Sequence, residues 1–144
     1  MIYQQMIRRN DADIPLLCEV MDLPDISRFI NYGKEKYWQY VTSTDSVFYY
    51  KVYEANSLVG AIHLEISDKT LYMSILVFPE YQNQGIGSRI IKDVQDRKFP
   101  LQFNKIEVSI DETNFASIRL FEKMNFKFVS KEKELLTYVY QALA

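Results

Sequence analysis

Gly85 and Gly87 sit one residue apart in "YQNQGIGSRII", residues 81–91, and they are two of the four glycines in the chain. A strand-like run, "LYMSILVF", precedes them and a helix-like run, "SRIIKDVQDR", follows. At such a junction the first amide N–H groups of the helix lack partners and carry partial positive charge, so an anion is their natural ligand. Glycine lets the backbone approach that anion and lets the turn take positive φ. The stretch therefore reads as a pyrophosphate cradle, or as a plain strand–turn–helix connection that uses glycine for geometry alone. It is not a P-loop, because Ser88 and Arg89 stand where Lys and Ser/Thr are needed. It is not a dinucleotide fingerprint either, because Ile90 stands where the third glycine belongs.

The surrounding pattern says what must hold this turn. "IYQQMIRR" alternates as a first strand, and "DADIPLLCEVM" as a helix capped by Asp11 or Asp13 with Pro15 in its first turn. Residues 22–44 read as helix in two pieces, broken near Gly33. "SVFYYKVYEA" and "LVGAIHLEIS" are β-branched and aromatic strands with a turn signal, Asn56-Ser57, between them. A two-residue turn at Asp68-Lys69 would pair Glu65 with Tyr72 and His63 with Ser74. Those four then share one face of the hairpin, and Ile62, Leu64, Met73 and Ile75 the other.

After the glycines, Ile86, Ile90 and Val94 recur at helical spacing. "NKIEVSI" is a strand with Val108 and Ile110 on one face and Glu107 and Ser109 on the other. "NFASIRLFEKM" is a helix, and one or two strands finish the chain. The order implies one α+β domain over residues 1–144, a mixed α/β sandwich whose sheet is mostly antiparallel.

Composition removes several classes of function. Seventeen basic residues against nineteen acidic leave no basic surface for nucleic acid. One cysteine and one histidine cannot assemble the usual zinc site, so no metal is expected. Cys18, inside "PLLCEVM", reads as a core thiol. No apolar run is long enough to span a membrane, and the N-terminus lacks the apolar stretch of a secretion signal, so a reducing, cytoplasmic setting is expected. The alternating "LLTYVYQAL" suggests an exposed apolar edge strand that a second copy would cover, hence a homodimer.

"VFPEYQNQGIGSRII" closely resembles the central motif of the GCN5-related N-acetyltransferase (GNAT) superfamily. That motif is an apolar strand, Pro, then Arg or Gln, two variable residues, Gly, one variable residue, and Gly or Ala; here it runs from Gln82 through Asn83, Gln84, Gly85 and Ile86 to Gly87. Some 30 residues on, "NFASIRLFEKMNF" resembles the family's second conserved segment. The resemblance is good over residues 46–130 and loose before them.

It implies a sheet with splayed middle strands and acetyl-coenzyme A as cosubstrate between them. The diphosphate would lie on the amides of Asn83, Gln84, Gly85, Ile86, Gly87 and Ser88. The pantetheine arm would pair with Ile75, Leu76 and Val77, where an N–H polarises the acetyl carbonyl. Asn114 matches the residue that contacts the arm, and equally suits a helix N-cap. Asn125 replaces the usual Gly at the helix end, where Asn also tolerates the left-handed conformation.

Phe121 stands where relatives often carry the Tyr that protonates the departing thiolate. Two positions often used for a general base hold Ser109 and Tyr72, which leaves Glu65, Glu107 and His63 as further choices. Tyr37, Trp38 and Tyr40 would line an acceptor pocket or pack on the sheet. The implied function is acetyl transfer from acetyl-coenzyme A to a small-molecule or protein amine. The alternative is a coenzyme-A-binding sensor or interaction module with little activity.

Overall fold

The computed structural model of the chain describes residues 1–29 and 35–142. Among them seven strands form one sheet: β1 (Ile2–Gln5), β2 (Val47–Glu54), β3 (Ser57–Ser67), β4 (Thr70–Val77), β5 (Lys105–Asp111), β6 (Lys127–Glu132) and β7 (Leu135–Gln141). Their spatial order is β1-β2-β3-β4-β5-β7-β6. Every neighbouring pair is antiparallel except β4 and β5. The expected mixed, mostly antiparallel sheet is therefore present.

Helices cover both faces. On one side α1 (Ile14–Met21), α2 (Pro24–Ser27) and α3 (Glu35–Ser43) seal a core that includes Leu17, Trp38, Tyr49 and Leu76. On the other, α4 (Ile86–Gln95) and α5 (Phe115–Lys123) close over Ile62, Leu64, Leu71, Met73 and Val108. Ile86, Ile90 and Val94 point into that second core, as their spacing requires. The expected break near Gly33 lies outside the described residues.

The β3–β4 hairpin has the expected register, with Glu65 opposite Tyr72 and His63 opposite Ser74. Asp68 and Lys69 both take positive φ, the conformation that a tight two-residue hairpin demands at both central positions. The preceding turn is shifted by one residue from expectation. Ala55 and Asn56 carry the positive φ, and Ser57 already belongs to β3. A strand residue must reach the ladder in register, and the pairing of Glu54 with Ser57 fixes that.

The helix cap at α1 is also corrected. Asp13 occupies the N-cap, but its side chain caps nothing. Its carboxylate takes hydrogen bonds from Lys51 Nζ (2.8 Å) and from Tyr53. Lys51 also bonds Asp11 at 2.9 Å, and only 5% of Lys51 is exposed. A buried ammonium needs anionic partners, and that need outbids the amide cap.

The largest correction concerns the C-terminal strand. β7 is not an edge: β5 pairs with it on one side and β6 on the other. The edge at this end of the sheet is β6, whose six residues are all exposed. Its sequence, "KFVSKE", carries Lys127 and Lys131, and its register shifts between Phe128 and Ser130. Edge lysines and a bulge discourage strand addition, and "LLTYVYQAL" has no free edge for a second copy to cover.

Candidate active site

The middle of the sheet opens. β4 and β5 pair only at Thr70–Lys105, Leu71–Ile106 and Tyr72–Glu107. Beyond Tyr72, β4 keeps β3 on one side and pairs with no described strand on the other. Which peptide groups face that opening follows from the hairpin. Antiparallel pairs alternate between exchanging hydrogen bonds and pointing their groups outward, and Ser67–Thr70 closes a two-residue turn. Counting from it, Met73, Ile75 and Val77 direct their N–H and C=O away from β3. Phe78, the next inward residue, donates its N–H to Val59 O at 2.8 Å, which agrees with this count.

The opening is prepared on the far side of β4. The β2–β3 register slips between Val52 and Tyr53, so Val59 is an extra residue in β3. Such a bulge increases local twist. Gly60 follows it, and the Leu76 carbonyl lies so close that a Cβ at Gly60 would sit 2.1 Å from its oxygen. Only glycine admits that approach, and it holds β4 where β4 leaves β5.

β4 then runs into the glycine turn. Gln82 donates from Nε2 to Val77 O (3.1 Å), and Gln84 from Nε2 to Glu80 O (3.2 Å). Asn83 has φ 62° and Gly85 φ 80°. Both invert the chain so that Ile86 starts α4. No side chain caps this helix, and its first amide to reach a carbonyl behind it is Arg89, on Gly85 O. The amides ahead of Arg89 are open, at the half-exposed Gly87 and Ser88 among others. The two glycines do different work. A Cβ at Gly85 would meet nothing within 4 Å, whereas one at Gly87 would lie 3.0 Å from the Leu120 side chain on α5.

Opposite, Asn114 caps α5 by accepting from Ser117 N at 3.3 Å. That uses its oxygen and leaves its NH2 group. At the other end Asn125 takes φ 71°, Phe126 N bonds Phe121 O and Asn125 N bonds Glu122 O. This is a complete left-handed helix end, and Asn substitutes for Gly as expected. Phe121 is 5% exposed, in the core beneath α5.

The face of the sheet turned toward α3 carries a polar network. Tyr37 Oη lies 2.8 Å from His63 Nδ1, His63 Nε2 lies 3.6 Å from Glu65 Oε1, and Tyr40 donates to the same oxygen at 2.6 Å. Burial pulls the His63 imidazole below its usual range, opposed by the nearby Glu65, so the ring is neutral near pH 7. Burial raises Tyr37, which therefore keeps its proton. A neutral imidazole has one N–H, and the carboxylate beside Nε2 can only accept. Nε2 therefore carries the hydrogen, and Nδ1 accepts from Tyr37. Trp38 differs from its neighbours: it is 3% exposed in the core, and its Nε1 donates to Cys18 Sγ at 3.3 Å.

The sequence brought His63, Glu65 and Tyr72 to one face, and that holds. Glu107 extends the row beside Tyr72, and Ser109 lies further along the same face of β5. The link from Tyr37 and Tyr40 to His63 and Glu65 was missed. Its only signal was two tyrosines at i, i+3 on one helix and two polar residues at i, i+2 on one strand.

Known proteins agree with this architecture. Residues 17–126 match the model of the Acetyltransferase (GNAT) family. The chain belongs to that family. No curated protein sequence matches it. Among solved structures, a domain from Methanocaldococcus jannaschii superposes with a TM-score of 0.80 at 23% identity, over 97% of each chain. The Campylobacter jejuni N-acetyltransferase PseH in complex with acetyl coenzyme A gives 0.76 at 14% identity, over 97% of this chain and 99% of that one. The F149A mutant of the Vibrio cholerae spermidine N-acetyltransferase SpeG gives 0.77 at 14%, over 98% and 95%. At these identities the likeness is one of fold. The GNAT chain thus has an α+β fold with a parted sheet centre, and its family uses acetyl-coenzyme A.

Proposed function

We propose that this GNAT protein transfers an acetyl group from acetyl-coenzyme A to a primary amine by direct attack. One observation carries the reading: the unpaired outer edge of β4 leads straight into the uncapped N-terminus of α4. An arm ending in a diphosphate fits that path. The amides of Asn83 to Ser88 hold the diphosphate, and the outward peptide group of Ile75 pairs with the arm. Val77 lies on the same edge, but its carbonyl is already taken by Gln82. Asn114 offers its NH2 group, and Phe121 lies under the thioester end.

The cosubstrate supplies an activated acetyl carbonyl. Ile75 N–H donates to the carbonyl oxygen and stabilises the negative charge that develops there. The amine nitrogen forms the C–N bond, the C–S bond breaks, and coenzyme A leaves as its thiol. An amine that arrives as ammonium sheds two protons, one to the thiolate and one to a base. Phe121 has no proton to give, so the thiolate takes its proton from the attacking nitrogen. Thiols, with a pKa of about 8.5, leave without a dedicated acid more readily than alcohols do.

The same substitution favours a second reading, a coenzyme-A-binding module with little turnover. The test is a panel of aliphatic amines with acetyl-coenzyme A, read by release of free thiol, beside a thermal-shift titration of acetyl-coenzyme A. Thiol release with any amine supports transfer. Binding without release supports the module. No thermal shift at millimolar acetyl-coenzyme A would end both readings.

A further inference from the structure

Glu65 is held unevenly. Tyr40 Oη and His63 Nε2 both address Oε1. Oε2 accepts no hydrogen bond from any described residue, and no described lysine or arginine pairs with the carboxylate. The side chain is 34% exposed. Two tyrosines, a histidine and a carboxylate in one chain make a costly arrangement for a surface residue, because each ordered side chain gives up rotamer freedom. What the arrangement achieves is a fixed carboxylate whose Oε2 has no partner among the described residues.

Its position is equally specific. Glu65 stands opposite Tyr72, the last residue of β4 that touches β5. One row further lie His63 and Ser74, and then the outward peptide group of Ile75. From Tyr72 to Ile75 is three residues, a span of about 10 Å along the strand. Glu65 thus lies one strand over from the closed end of the opening, within a small molecule's length of the proposed acetyl position. Glu107, beyond Tyr72 in the same row, makes no ion pair among the described residues. Lys105, one row down β5 beside Thr70, and Lys51 on β2 are cations of this same face, and Lys51 is held by Asp11 and Asp13.

We propose that Glu65 is the acceptor-ammonium site, receiving the cation on Oε2 and taking its first proton, with Tyr40 and His63 as positioning residues. The inference rests on the transfer reading above and narrows its acceptor to aliphatic primary amines that arrive charged. The ammonium gives one proton to Glu65 Oε2 and becomes the neutral nucleophile. After attack, a second proton passes from nitrogen to the departing sulfur. The amide keeps the third hydrogen, and Glu65 returns its proton to water. Neutral His63 suits this role, since an imidazolium at 3.6 Å would cancel the charge that attracts the amine.

The chain has one histidine, so the imidazole C–H resonance of His63 reports on this site without ambiguity. The full-length protein is titrated with n-butylamine near neutral pH, with and without coenzyme A, and n-butanol serves as the uncharged control. We expect a saturable shift of the His63 resonance with the amine and none with the alcohol. Glu65→Gln should weaken amine binding at least about tenfold, as loss of a hydrogen bond to a charged group does. Tyr40→Phe should weaken it less. Coenzyme A binding, followed by thermal shift, should be unchanged in both.

Equal amine affinity in Glu65→Gln and the parent, or no shift of His63 with the parent, would overturn the assignment. Both variants are close to isosteric, and each melting temperature reports whether it folds. If coenzyme A itself fails to bind, the transfer reading and the proton-accepting role of Glu65 fall, while the titration without coenzyme A still decides whether Glu65 binds the ammonium.

Discussion

Phe121 and Phe126 meet edge to face, with ring centroids 5.0 Å apart, across the left-handed end of α5. Counted from the C-cap Met124, the contact joins the third residue before to the second residue after, which is the apolar clasp that accompanies this type of termination. It fixes the direction of the Phe121 ring. Phe121→Tyr is expected to place its hydroxyl at the thioester end of the cleft and to raise kcat, by up to roughly 10²-fold if thiolate departure limits the rate. Acetyl-coenzyme A affinity should not change. A loss of about 1–3 kcal/mol in stability with no change in rate would mean that the hydroxyl is buried without a partner. Phe121 would then be a core residue away from the thioester.

Gly60→Ala should damage both stability and cofactor binding. The added Cβ would lie 2.1 Å from Leu76 O, a backbone atom that cannot rotate away. Overpacking of this kind destabilises by about 1–3 kcal/mol. Relief requires β4 to move, and the moving stretch holds Ile75. Urea denaturation should show the loss, and a titration with acetyl-coenzyme A should show weaker binding than the stability loss alone predicts. A variant as stable as the parent would mean that β4 yields freely here and that Gly60 does not set its path.

The parts of this fold legible in sequence are those fixed by local rules. The hairpin register followed from a two-residue turn and strict alternation, so Glu65, Tyr72, His63 and Ser74 were placed together correctly. The apolar spacing of α4 likewise fixed its buried face. The errors lie where distant residues decide. β6 and β7 both alternate, and only the pairing of β7 with β5 makes β6 the edge. Asp13 has the composition of a cap, but Lys51, 38 residues away, claims its carboxylate. The docking of Tyr37 and Tyr40 onto β3 depends on where α3 settles, and no local pattern encodes that.

The two glycines of the turn should respond differently. Gly87→Asp brings a Cβ to 3.0 Å from the flexible Leu120 side chain, which can shift, and a carboxylate beside the open amides. We expect a folded protein whose acetyl-coenzyme A binding is severely weakened, because two anions would share a partly desolvated site. Gly85→Ala meets no neighbour but must keep φ 80°. About 1 kcal/mol of backbone strain is expected, with much of the binding retained. Calorimetric titration of both variants checks the contrast. Unchanged affinity in a folded Gly87→Asp would place the diphosphate elsewhere.

The tie between Lys51 and Asp13 should make the fold acid-sensitive. The Lys51 hydrogen bond, then that of Tyr53, holds the Asp13 carboxyl below its usual value. Unfolded, the group returns to a pKa of about 3.9. A carboxyl depressed in the folded state adds stability that is fully present above the unfolded value. That stability is lost as pH falls through the folded one. Urea midpoints should therefore be flat near neutrality and fall below about pH 4. Asp93 and Asp111 are depressed as well, so Asp13→Asn should reduce the acid limb without abolishing it. Lys51→Ala should be the harsher change at neutral pH. It removes the cation between Asp11 and Asp13 and opens a gap, at a loss of about 3–5 kcal/mol. Lys51→Met fills the gap and should lose less. Equal losses for the two would show that charge alone, not packing, sets the contribution of Lys51.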